Sequence, residues 1–211
     1  MNLLELVDIE KLRTALAANS ALANEGVALP DNAAKGHPLH RVCDAVFSGK
    51  IPDEQAIEIA KVLLEYGANI DGFMERGDNN TPLIAASSLH AEKLGVFYIE
   101  HGANVFYAPK SDGGTALHWA AYTGRDKLVA KLIEAGAPVN QLDTAYHSTP
   151  CGWAEHLLAN SKEGDTNLYH QKECIKLLLK AGTDKTLLAK ETVAFITQLF
   201  AAEPEILALI Q

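Results

Sequence analysis

The fold class predicted for this chain of 211 residues is an all-α solenoid of repeated helix-turn-helix units, and three observations predict it. A four-residue signature recurs as "HPLH" at 37–40, "TPLI" at 81–84, "TALH" at 115–118 and "TPCG" at 149–152, in steps of 44, 34 and 34 residues. A second signature follows each one: "LLEYGANI" at 63–70, "YIEHGANV" at 98–105, "LIEAGAPV" at 132–139 and "LLKAGTD" at 178–184. From Gly67, Gly102 and Gly136 to the next first signature the distance is 14, 13 and 13 residues. Two markers in fixed order at near-constant spacing define a repeat.

Residues 113–140 form the most regular unit and serve as the ruler. Leu117, Ala120 and Ala121 fall on one face at helical spacing, Gly124 breaks that helix, and Asp126 opens the next. Leu128, Leu132 and Ile133 then make the expected buried stripe. Gly136 suits the position just past a helix end, where a residue without Cβ adopts positive φ cheaply. Positions 115–140 resemble the ankyrin family, with its T-P-L-H-x-A helix and following leucine-rich helix. The resemblance is strong over about residues 36–184 and weaker at both ends. It implies an ankyrin-repeat solenoid in which each unit is a β-turn finger followed by two antiparallel helices, and stacked neighbours bury a continuous core.

On this ruler the chain holds about six units in a single domain over 1–211. Residues 1–35 form an N-terminal capping repeat, with a first helix shortened to about 1–6 and a second at 8–24, where Ser20 stands in for the glycine. Residues 36–184 hold four clear repeats. Residues 185–211 supply C-terminal capping helices, broken near Glu203 and Pro204. Units two and five carry insertions of about nine and twelve residues, at about 49–57 and 158–169. Pro52 is acceptable there in a first helical turn, and a polar loop is expected at 161–166.

Composition narrows the class of partner. The chain carries 18 basic against 27 acidic residues, a net charge of −9 and a pI near 5.3. Nucleic-acid backbones and anionic membranes both demand clustered Lys and Arg, so neither is an expected partner. Cys43, Cys151 and Cys174 are too few and too widely spaced for a disulfide framework, which fits a reducing compartment. The amino terminus shows neither a signal peptide nor a long apolar run. A cytoplasmic monomer is expected.

Several residues invite a chemical reading. His118 and His40 close the T-x-x-H signature, where an imidazole can bond backbone and the helix-start Thr, a scaffold role. Units three and five place Ile84 and Gly152 there, which interrupts that row. Cys151, His156, His170 and Cys174 lie within a span that could pass for metal ligands. The repeat register points these four side chains in different directions, and no metal or other cofactor is expected. No catalytic pairing and no glycine-rich phosphate loop stands out, so no enzyme is expected; the competing reading is a metal-dependent or hydrolytic enzyme using that His/Cys cluster. Trp119 and Trp153 share one repeat position and read as packing between helices.

The ankyrin resemblance further implies a groove lined by the fingers and the exposed face of each first helix. Carried onto this chain, the first-helix positions are Asp44, Ser88, Leu89, Tyr122, Thr123, His156 and Leu157. The finger positions are Asp78, Asn80, Ser111, Asp112, Tyr146 and Ser148, with Phe106 and Tyr107 on the limb before the fourth unit's finger. Acidic groups mixed with exposed aromatics predict a protein partner with a basic, partly apolar surface, anchored by Tyr122 and Tyr146, with Tyr107 as a further anchor. The expected function is non-catalytic protein recognition, in an adaptor or an inhibitor and immunity role.

Overall fold

A computed structural model of the chain describes residues 2–29, 32–73, 80–161 and 170–210. Asp78 and most of the loop expected at 161–166 lie outside the described residues. The chain divides into two compact units, residues 1–104 and 105–211.

The first unit opens with α1 (Leu3–Leu6) and α2 (Ile9–Ala18), the short-then-long pair expected of a capping repeat. A 3₁₀ turn at Ser20–Asn24 follows, so α2 stops before Ser20 instead of running on to residue 24. The next finger is drawn out into an antiparallel hairpin, β1 (Val27–Leu29) with β2 (Asn32–Gly36), the strand pair that the repeat pattern did not announce. Arg41 buttresses it: the guanidinium donates from Nε to the Val27 carbonyl (3.0 Å) and packs where a Cβ on Gly36 would stand. Two helix pairs follow, α3 (Pro38–Phe47) with α4 (Asp53–Glu65) and α5 (Pro82–Ser88) with α6 (Glu92–Glu100). Here α3 packs on α5 and α4 on α6, as stacked repeats require. The insertion lengthens α4 to 13 residues, and Pro52 sits just outside it as the N-cap rather than within its first turn.

The second unit holds α7 (Ala116–Tyr122) with α8 (Asp126–Glu134), α9 (Pro150–Ala159) with α10 (Gln171–Lys180), and the closing pair α11 (Lys190–Leu199) and α12 (Pro204–Leu207). Again first helix packs on first helix, α7 on α9 and α9 on α11, and second on second, α8 on α10 and α10 on α12. The buried stripe of α8 is Leu128, Val129 and Leu132, whereas Ile133 is half-buried at its edge. Each buried leucine contributes roughly 1.5–3 kcal/mol of transfer free energy.

The repeat signature earns its spacing through capping. Thr81, Thr115 and Thr149 each accept, through the side-chain oxygen, the backbone N–H three residues on, at 3.3, 3.4 and 3.2 Å. His37 takes that place in the second repeat, accepting the Leu39 N–H on Nδ1 (3.2 Å). Gly67, Gly102, Gly136 and Gly182 end the second helices at φ between 84° and 94°, the left-handed conformation that sets the phase of the second signature. Neighbouring repeats are then stitched by asparagine amides: Asn24 Nδ2 donates to the Gly67 carbonyl (2.7 Å) and Asn140 Nδ2 to that of Gly182 (2.9 Å).

Candidate functional site

Within the second unit, α7, the finger before α9, α9 itself and α11 enclose a cleft of about 460 Å³. Trp119 and Tyr122 come from α7, one helical turn apart and therefore on one face. Trp153 and His156 occupy the same two positions of α9, 34 residues later. The finger adds Tyr146 and Ser148, α9 adds Gly152 and Glu155, and α11 adds Thr192. The rings meet edge to face: Trp119 and Trp153 at 5.1 Å between centroids and 84°, Trp119 and Tyr122 at 6.1 Å and 85°, Tyr122 and Trp153 at 6.0 Å and 78°. Tyr146 leans on Trp153 at 6.2 Å yet stays 77% exposed. Thr192 Oγ1 donates to Glu155 Oε2 at 3.0 Å.

The finger that presents Tyr146 is fixed by one buried carboxylate. Asp143 accepts the backbone N–H groups of Ala145 (2.9 Å), Tyr146 (2.6 Å) and Ser148 (2.9 Å), and the Trp153 indole Nε1–H (3.0 Å). Burial by itself would raise the Asp143 pKa, but these four donors outweigh it and hold the carboxyl below the ordinary carboxylate value. The turn is tight enough to force His147 to a positive φ of 51°. His118 holds the finger from the α7 side. Its Nδ1 accepts the Thr115 N–H (3.2 Å), which leaves Nε2–H to donate to the Ser148 carbonyl at 3.1 Å. Burial holds His118 below the ordinary histidine range, in the neutral form this tautomer needs.

Of the positions expected to meet a partner, Tyr122, Tyr146, Ser148 and His156 converge on this cleft. Thr123 is buried, its hydroxyl donating to the Trp119 carbonyl (2.8 Å) as α7 ends. Leu157 is half-buried and outside the lining. Asp112 braces the finger from below, its Oδ1 accepting the Gly114 N–H (2.9 Å) and its carbonyl the Thr144 N–H (2.7 Å). Ser111 is exposed, Phe106 is 62% exposed and Tyr107 is half-buried. In the first unit, Asp44 pairs with Arg41 Nη1 at 2.6 Å, Ser88 Oγ donates to the Ala85 carbonyl at 3.3 Å, and Leu89 is the C-cap of α5. Asn80 is exposed on a separate 220 Å³ hollow with His37, His40 and Arg41.

Trp119, Gly152, Trp153, Glu155 and Thr192 are the lining residues that sequence reasoning did not count. The tryptophans share a repeat position one turn from Tyr122 and His156, which was the available signal. Both pack, as their shared position implies, on each other, while walling the cleft. Thr192 comes from a capping helix outside the repeat pattern, where no signal points to it. The His/Cys cluster stays apart chemically. Cys151 and Cys174 are fully buried, the Cys151 thiol is pushed up to about 12 by burial, His156 lines the cleft, and His170 Nδ1 faces Asp126 at 2.7 Å. Among the described residues no group of three or more His, Cys, Asp or Glu is placed to hold a metal ion.

Stacked helix pairs joined by fingers define a repeat protein built from helix-turn-helix units. A profile of the ankyrin-repeat family, as three copies, matches residues 52–143, so that stretch of the chain carries ankyrin repeats. The chain is 35% identical over 107 residues to the rat (Rattus norvegicus) Ankyrin repeat and SAM domain-containing protein 6, covering 48% of this chain and 11% of that protein. It is 28% identical over 167 residues to the human (Homo sapiens) Ankyrin repeat and SOCS box protein 6, covering 66% of this chain and 39% of that one. Over 28 residues it is 68% identical to Calmodulin-binding transcription activator 6 of Arabidopsis thaliana, which covers 13% of this chain and 3% of that protein. The chain thus spans about two fifths of the human relative and far less of the other two. Ankyrin repeats are general protein–protein interaction modules and are generally non-catalytic. Among the described residues no helix is long and apolar enough to cross a membrane.

Proposed function

We propose that this chain recognises a protein partner, with the aromatic cleft of residues 105–211 as the anchoring site. The observation that carries the reading is the convergence of four aromatic side chains on one cleft whose outermost ring, Tyr146, is 77% exposed. Tyrosine and tryptophan are enriched among interface hot spots because a rigid, amphipathic ring buries much area at little entropic cost. The net charge of −9 favours a partner with a basic, partly apolar surface over a nucleic acid or an anionic membrane. Recognition of this kind serves an adaptor or an inhibitor, and the two roles separate by whether binding blocks the partner's own activity.

The test is the affinity of a partner, isolated on the native protein, for the Tyr122→Ala/Tyr146→Ala variant. A loss of about thirtyfold or more is expected for two anchor residues. Unchanged affinity, with an unchanged far-ultraviolet spectrum and melting curve, would show that the cleft is not the anchor.

A further inference from the structure

Taking the cleft as the partner-anchoring site, we propose that its corner of Trp119, Tyr122 and Trp153 receives a cationic side chain of the partner, with Glu155 as its counter-charge.

The geometry is that of a box corner. The planes of the three rings stand at 84°, 85° and 78° to one another, so each pair meets edge to face and none stacks. All three border the same space, so a side chain seated there meets the three rings together. A cation within about 6 Å of an aromatic face is attracted by the ring quadrupole, and a corner lets one cation use more than one. The Trp153 indole adds to this, because Nε1–H donates to the Asp143 carboxylate at 3.0 Å and the hydrogen bond pushes electron density into the ring.

The charge of the lining selects the same ligand. Among the described residues no Lys or Arg borders the cleft, and its acidic group, Glu155, is half-buried. Thr192 occupies Oε2, and among the described residues Oε1 accepts no hydrogen bond. Several other carboxylates of this unit carry ion pairs, Glu203 with Lys172 and Lys176, Asp126 with His170, and Glu134 with Lys131. An apolar plug would strip water from Glu155 and give nothing back, at a desolvation cost that the apolar contact must overcome. An anion would meet Glu155 directly. A guanidinium or an ammonium answers both the rings and the carboxylate, and the guanidinium, being planar, can lie flat on one wall while donating to Glu155.

Both tryptophans of the chain border the cleft, so the two indole Nε1–H resonances report on it without labelling elsewhere. The probes are N-acetylated, C-amidated pentapeptides Gly-Ser-Xaa-Ser-Gly, with arginine, lysine, citrulline or norleucine at Xaa, titrated into the full chain at millimolar concentration. The arginine peptide, the lysine peptide or both should shift the two indole resonances saturably, their ratio identifying the preferred cation. Citrulline and norleucine, matched in shape without charge, should bind about tenfold more weakly or worse. Glu155→Gln should weaken the cationic peptides about three- to tenfold and leave norleucine unchanged. Equal binding of the neutral peptides overturns the cation assignment, as does an absence of shifts with all four. Either failure leaves the anchoring role itself intact, since that rests on the loss of affinity for a whole protein partner in the tyrosine double variant.

Discussion

Asp143 does more for the cleft than most residues inside it. A single carboxylate, 1% exposed, ties three backbone amides of the finger to the indole that walls the cleft, so the finger and α9 cannot move apart without breaking charge-assisted bonds. Asp143→Ala leaves those donors without an acceptor, and a stability loss of about 2–4 kcal/mol is expected in urea unfolding followed by indole emission. A loss below about 0.5 kcal/mol would mean that the finger is held by other contacts. Tyr146 offers the opposite case. With its ring 77% exposed, Tyr146→Ala should change stability by less than about 0.5 kcal/mol while still weakening partner binding, and melting and affinity measured on the one variant separate fold from function.

At the scale of the element, capping explains why the first signature reads as it does. Threonine caps at positions 81, 115 and 149 start α5, α7 and α9 in the same way, and His118 adds the reciprocal bond to the Thr115 amide that completes a capping box in α7. Burial keeps His118 below the ordinary histidine pKa, so the unfolded chain takes up a proton there before the folded one does. Stability from this site is therefore complete above about pH 6.5 and declines as pH falls towards the depressed folded value. His118→Asn should flatten the dependence of unfolding free energy on pH between about 7 and 5; an unchanged slope would mean that His118 does not carry it. The turn between α7 and α8 is equally exacting. Gly124 sits at φ 70°, and a Cβ there would press on the buried Gln171 side chain at 2.8 Å, whose amide donates to the Tyr122 carbonyl. Gly124→Ala should cost about 1–3 kcal/mol, read as a shift of the urea midpoint. These elements were legible in the sequence because periodic leucines, threonine caps and terminal glycines act locally. The β1–β2 hairpin was not, since its strands are held by a guanidinium from α3 that no local pattern records.

For the whole molecule, charge sets the terms of encounter. A net charge of −9 should speed association with a basic partner, and the association rate measured by stopped flow should fall as ionic strength rises while dissociation changes little. A rate indifferent to salt would remove electrostatics from recognition. The candidate site was only partly legible. Tyr122, Tyr146, Ser148 and His156 followed from register, because a repeat places equivalent positions on one face. Glu155 and Thr192 meet through the packing of α9 on α11, a tertiary contact that spacing alone does not encode. The central claim is that a protein partner seats in the aromatic cleft. It is tested most directly by fluorine NMR on protein carrying 5-fluorotryptophan, since the two tryptophans of the chain, Trp119 and Trp153, both wall that cleft. Both fluorine resonances should shift on saturation with a partner whose binding is established by calorimetry. A partner that binds while leaving both resonances in place would contradict the account.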